Sequence, residues 1–229
     1  MSCMTPDERW LTAMWPFVRA ALPAPPAGVL EIGCGPLGGF VPALLGDGYD
    51  AVGVDPEAPE ASGYHRMQFE HYQSPKPVGG VVACTSLHHV ADLSEVLDRV
   101  GAALAPDGAL VVVEWAWERF DEASARWCFA RLAPPESAVE PGWLHRRRDE
   151  WAASGQPWEG FCQAWATQEG LHTGQEIVRG LDARFDRRLC AFGPYFFADL
   201  ADTTEADEQA AIDAGQVQAT GVWYAGRRR

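Results

Sequence analysis

The stretch that most constrains this chain is Val29-Leu30-Glu31-Ile32-Gly33-Cys34-Gly35-Pro36-Leu37-Gly38. A short apolar run ends in closely spaced glycines, and a helix is expected beyond them over roughly 40–45. Glycine lets the chain turn sharply and lets a ligand approach the backbone with no Cβ in the way. The helix that follows points its N-terminus, with its free N–H groups, at whatever is bound. A strand, a glycine loop and a helix at the first position of a parallel sheet form a nucleotide or nucleoside site.

The flanking pattern supplies that sheet. A first helix is expected from Thr5 or Asp7 to about Leu22, where Leu22-Pro-Ala-Pro-Pro-Ala ends it. Further strands are expected over 49–55, 64–69, 79–84 and 108–115, with a helix over 92–104 that Ala105-Pro-Asp-Gly108 breaks. Strands alternating with helices imply a parallel α/β sheet covered on both faces. Between 118 and 182 strand signals vanish. Helical segments replace them, broken at Ala133-Pro-Pro135, Pro141-Gly142 and Ser154-Gly-Gln-Pro157. Two more strands are expected over 184–192 and 216–224. The helix between them, 204–214, is capped by Thr203 or Thr204 and stopped by Gly215. One domain is expected over 1–229, in four parts: 1–26, 27–117, 118–182 and 183–229.

The glycine loop admits two ligands. Gly33-x-Gly35-x-x-Gly38 matches a dinucleotide fingerprint, with Asp55 at the distance of its ribose-binding acid, which would suit an NAD-dependent oxidoreductase. Glu31, two residues before the first glycine, tilts the balance. A carboxylate there would lie near a pyrophosphate, and suits instead a ligand with a cationic end and no phosphates. S-adenosylmethionine carries both an ammonium and a sulfonium.

At these residues the chain resembles the Rossmann-like S-adenosylmethionine-dependent methyltransferases. Glu31-Ile-Gly33-Cys34-Gly35 looks like their first motif, and Asp55, closing Val52-Gly53-Val54, like their acidic ribose binder. Thr85-Ser-Leu-His-His-Val90 looks like their fourth-strand motif. Ala105-Pro-Asp-Gly-Ala-Leu, before Val111-Val-Val-Glu114, looks like their turn into the fifth strand. The resemblance spans about 27–117 and continues more loosely over the last fifty residues. It implies a seven-stranded, mostly parallel sheet with an antiparallel last strand, helices on both faces and a helical insertion after strand 5. It also implies S-adenosyl-L-methionine as cofactor, bound by Glu31, Gly33, Cys34, Gly35, Asp55, Gln68, Phe69 and Thr85. The sequence departs from the family pattern at three places. Leu37 stands where a third glycine is usual, with Gly38 and Gly39 one and two residues late. Gln68 stands where the third strand usually ends in an acid, and Asp107 where a glycine is commoner.

For the chemistry, His88 and His89 follow the fourth strand near where the methyl group would be presented. Each reads either as a general base or acceptor-orienting group, or as a packing histidine. Glu114 reads as an acceptor ligand or as a cap or salt-bridge residue, and Tyr195 is a further acceptor-site candidate. Cys34 reads also as a small packing residue. No metal site is expected, because adjacent histidines point apart and no third ligand is evident. In-line methyl transfer needs mainly alignment.

The chain has 32 acids against 18 Lys and Arg, a net charge of −14. That balance opposes nucleic acid and anionic membranes, and a small-molecule acceptor is expected. The basic runs His145–Arg148 and Arg227–Arg229 read as a helix face and a solvated tail. The six cysteines are scattered with no C-x-x-C pair, and Met1–Trp10 has no apolar core, so a cytoplasmic protein with reduced thiols is expected. No apolar run is long enough to span a membrane. Segment 118–182 is the candidate lid over the acceptor. Seven of the ten Trp fall between 115 and 165, where they either wall an acceptor pocket or pack the helices. A non-catalytic S-adenosylmethionine-binding scaffold is the remaining possibility.

Overall fold

The computed structural model describes residues 4–134 and 142–229. Cys3 and the expected breaks at Pro135 and Pro141 lie outside the described residues. Seven strands form one sheet: β1 Gly28–Ile32, β2 Asp50–Val54, β3 Tyr64–His65, β4 Val78–Cys84, β5 Leu104–Trp115, β6 Phe185–Gly193 and β7 Gly221–Arg228. The helices are α1 Pro6–Ala21, α2 Val41–Gly46, α3 Leu93–Ala103, α4 Glu122–Phe129, α5 Trp143–Ser154, α6 Trp158–Gln168, α7 Gly174–Arg184 and α8 Glu205–Asp213. The strand order is β3-β2-β1-β4-β5-β7-β6, six strands parallel and the last antiparallel, as the Rossmann-like reading expects.

The chain divides into two compact units. The sheet unit comprises Leu11–Trp115, His172–Ala191 and Val222–Arg229. The helical unit comprises the described parts of Met1–Trp10, Ala116–Leu171 and Phe192–Gly221.

The core of the sheet unit follows from strands that are apolar on both faces. Pairing aligns Leu30, Val81 and Leu110 across β1, β4 and β5, and Ile32, Ala83 and Val112 two residues on. These rows pack with Val96, Leu97 and Val100 of α3 and with Ile177 and Leu181 of α7. Because side chains alternate along a strand, Glu31 falls on the opposite face of β1 from Leu30 and Ile32. It is buried there.

Three boundaries differ from the sequence reading. The third strand is two residues long, and Phe69–His71 forms a tight 3-10 turn instead. The backbone turns out of the sheet after His65, whose carbonyl already accepts the Asp55 N–H at 3.1 Å. Ala105-Pro-Asp-Gly108 ends α3 as expected, yet lies within β5: Leu104 pairs with Val78 and Ala109 with Gly80, so the four residues bulge out opposite Gly79. The seventh strand begins at Gly221 rather than 216 and runs to Arg228.

That last shift overturns the solvated-tail reading of Arg227–Arg229. Arg227 donates to the Asp107 carbonyl at 3.0 Å, and Arg228 to the Leu104 carbonyl. Arg229 donates to the carbonyls of Ala183 and Asp182 at 3.0 and 2.9 Å, and pairs with Asp186 at 3.1 Å. Guanidinium groups find carbonyls left over where the β5 bulge and the end of α7 leave regular structure. Deleting Arg227–Arg229 is expected to cost about 1–3 kcal/mol, from lost charge-assisted hydrogen bonds. A urea midpoint unchanged by the deletion would count against this.

Candidate functional site

A cavity of about 440 Å³ opens in the sheet unit at the carboxyl ends of β1, β2 and β4. This is where the strand order reverses direction, between β1 and β4, the usual ligand crevice of an open parallel sheet. Gly33, Gly35, Asp55, Gln68, Phe69 and Thr85 all line it. Sequence reading had named these six from four separate stretches of chain. Glu31 and Cys34, also expected at the ligand, are not among the lining residues.

The loop after β1 explains both. Gly33 and Gly35 have φ of +77° and +60°. A Cβ on Gly33 would come 2.4 Å from the Ser86 Cβ, whereas one on Gly35 would meet open space. Glu31 turns under the loop. Its two carboxylate oxygens accept the Phe40 N–H at 3.0 and 2.8 Å, at the entry to α2. Gly39, at φ +56°, passes so close that its Cβ would lie 2.2 Å from a Glu31 oxygen. The late glycines therefore have a physical role: Gly39 makes room for the carboxylate, and Leu37, in the usual glycine position, is exposed. Burial, with a smaller contribution from the Asp55 charge, pushes the Glu31 carboxyl up to about 8, although the Phe40 and Val41 N–H groups pull it down. The Cys34 side chain is buried against Gly53, and burial above all pushes its thiol up to about 12. That burial fits the packing reading of Cys34.

On the far wall, Asp55 is half-buried at the end of β2. One carboxylate oxygen accepts the Glu57 N–H at 2.6 Å, which fixes its direction. Gln68 is exposed and Phe69 buried, at the start of the 3-10 turn that replaces the third strand. Glu70, beside them, is a second acid of the lining.

The near wall is the segment after β4. Thr85 is a β-branched residue at φ +53°, held there by its N–H on the Val113 carbonyl at 2.8 Å. Such strain is commonly stored at functional sites. Ser86 lines the cavity, while its hydroxyl is buried and has no hydrogen-bond partner among the described residues. Ser86 lies within the Thr85–Val90 motif, whose pattern gives it no role of its own.

The two histidines separate. His89 is exposed and lines the cavity. His88 is buried, and its Nδ1 lies 2.6 Å from Glu114. Glu114 is fully buried, and its other oxygen accepts the Ser86 and Leu87 N–H groups at 2.7 and 2.5 Å. Glu114 and His88 thus support the wall. Neither lines the cavity, and these contacts fit the cap and packing readings of the two residues.

Residues 9–165 match the model of a methyltransferase domain family. The chain belongs to the Rossmann-like S-adenosylmethionine-dependent methyltransferases. This membership does not favour the dinucleotide reading of the glycine loop. No curated protein matches the sequence. The methyltransferase fold is shared with three solved structures. An S-adenosylmethionine-dependent methyltransferase from Mesorhizobium loti is 18% identical, with TM-score 0.55 over 94% of this chain and 98% of that one. The N-methyltransferase NodS from Bradyrhizobium japonicum WM9, solved with S-adenosyl-L-homocysteine, is 14% identical, with TM-score 0.53 over 98% and 88%. Geranyl diphosphate C-methyltransferase from Streptomyces coelicolor A3(2) is 15% identical, with TM-score 0.54 over 95% and 79%. The cavity suits the methyltransferase cofactor: it has an open glycine cradle at Gly35 and two acids, Asp55 and Glu70, in its lining.

In the helical unit, Trp143, Trp151, Trp158 and Trp165 pack on one another and on phenylalanines. Trp158 is buried, with edge contacts to Phe120, Phe129 and Trp151 at 5.4, 5.7 and 5.1 Å, and its indole N–H bonds the Phe120 carbonyl. Trp143 stacks on Phe196 at 6.1 Å and touches Trp165 at 5.7 Å. Tyr195 lies edge-on to Phe196 at 5.2 Å, and its N–H bonds Glu208.

Two outcomes follow for the loop. Because the folded chain favours protonated Glu31, the stability tied to it is complete below about pH 4.5 and falls as pH rises towards 8. Glu31→Gln is expected to flatten that decline, and urea denaturation at pH 5 to 8 that gave parallel profiles would exclude it. Gly39→Ala combines a left-handed backbone with a clash and is expected to cost at least ~2 kcal/mol, read as a lowered Tm.

Proposed function

We propose that the chain transfers the methyl group of S-adenosylmethionine to a small-molecule acceptor at the β1/β4 cavity. The carrying observation is that one cavity gathers Gly33, Gly35, Asp55, Gln68, Phe69 and Thr85 from four stretches of chain. When bound, the cofactor supplies an activated methyl group on its sulfonium. Gly33 and Gly35 give it a backbone cradle, and Asp55 accepts the ribose hydroxyls. Gln68 and the Phe69 N–H meet the adenine. The strained Thr85 and the Ser86 hydroxyl bound the end nearest β4. Glu31 shapes the loop from beneath instead of meeting the methionine end.

His89, the exposed imidazole of the lining, takes the acceptor's proton where the nucleophile carries one. His88 and Glu114 position it. The −14 charge supports a small acceptor over nucleic acid. So do the solved neighbours named for geranyl diphosphate and for 1,6-didemethyltoxoflavin, although each is under 25% identical. Segment 118–182 is proposed to select the acceptor, a reading that rests on its place in the chain directly after β5. The five described cysteines are free, and no described helix is long and apolar enough to cross a membrane; the free thiols support a cytoplasmic location.

A thermal-shift comparison tests the cofactor. S-adenosylhomocysteine is expected to raise Tm and NAD at equal concentration is not, and the reverse result would refute the proposal. Asp55→Ala is expected to weaken S-adenosylhomocysteine binding by roughly 10- to 100-fold with little change in Tm, since it removes charge-assisted hydrogen bonds. Calorimetric titration of the variant with unaltered affinity would remove Asp55 from the ribose.

A further inference from the structure

We infer that His172 is a positioning residue of this methyltransferase, clamping the His88–Ala91 wall of the cofactor cavity. The inference rests on the cofactor reading above. Its ground is a pair of hydrogen bonds that no sequence motif suggested. The His172 main-chain N–H donates to the His88 carbonyl at 3.0 Å, and its ring Nε2 donates to the Val90 carbonyl at 2.9 Å. A carbonyl only accepts, so Nε2 carries the proton and the tautomer is set.

The wall has little structure of its own. Leu87–His89 is one 3-10 turn, in which the His89 N–H reaches the Ser86 carbonyl at 3.2 Å. Its start is tied by Glu114, which takes the N–H groups of Ser86 and Leu87 and the ring of His88. Its end is tied by His172. Between these ties, Ser86, His89 and Val90 face the cavity. Moving the Val90 carbonyl therefore moves Ser86 and the His89 imidazole, which line the cavity.

His172 is itself well anchored. Thr173 follows it as the cap of α7, where Thr173 and Glu176 form a reciprocal capping box. Ile177 and Leu181 then bury α7 in the core. The clamp thus transmits the position of a packed helix to a loop that lacks a strand ladder. Its ring donor is the part that a substitution can remove alone, because the main-chain bond to His88 survives any side-chain change.

The test compares His172→Gln with His172→Asn. The longer amide places a donor where Nε2 lies, whereas the shorter one ends near the Nδ1 position and falls short of Val90. Binding of S-adenosylhomocysteine is measured by calorimetry on the wild-type chain and both variants. Asn is expected to raise Kd about 5- to 10-fold, the worth of one neutral hydrogen bond, and Gln to stay within about 2-fold. Hydrogen exchange of residues 86–91 is expected to quicken in the Asn variant and to be restored by Gln. Equal affinities in all three chains, or equal losses in both variants, overturn the clamp. Failure of the wild-type chain to bind S-adenosylhomocysteine would instead refute the cofactor reading.

Discussion

Backbone N–H groups in the loops beyond the carboxyl edge of a parallel sheet have no ladder partner, and here two buried acids accept them. Glu31 receives the Phe40 N–H where the glycine loop meets α2. Glu114 receives the N–H groups of Ser86 and Leu87 after β4. Each is sunk in the protein, where an unpaired carboxylate would be costly and a satisfied one fixes its donors. The cavity lies between the two loops so held. Its walls are therefore held in part by groups outside its lining, Glu31 and Glu114.

Much of this was legible from sequence, for a local reason. Strands β1, β4 and β5 are apolar runs with glycine or proline at one end or within, a pattern that depends on neighbours a few residues away. The glycine loop and Asp55 announce themselves the same way. What sequence missed depends on distant partners. Nothing near Glu31 shows that Gly39 leaves a gap for its carboxylate. Nothing near Arg228 shows that the β5 bulge strands a carbonyl of Leu104 within its reach. The pair His88-His89 looks like two equal candidates until Glu114, on another strand, claims one of them.

The aromatic cluster shows the same limit from another side. Seven Trp in one stretch suit packed helices, and also the wall of a pocket. Their contacts favour packing: Trp158, Trp151, Phe129 and Phe120 interlock, as do Trp143, Trp165 and Phe196. Helices α5 and α6 carry few buried aliphatic residues, among them Leu144 and Ala166, so wide rings fill their interior. Composition there reflects how a small helical body builds a core.

That body is drawn from three separated stretches of chain, with crossings at Trp10, Trp115, Leu171, Ala191 and Gly221. It is consequently not a cassette. An inserted module joined at two points can be excised, duplicated or exchanged by a single recombination event, but this one cannot. Grafting it onto a related scaffold would require moving the N-terminal segment, the 116–171 stretch and the 192–221 stretch together. Diversification of such a protein must proceed by point changes within a fixed architecture, and an engineer would meet the same constraint.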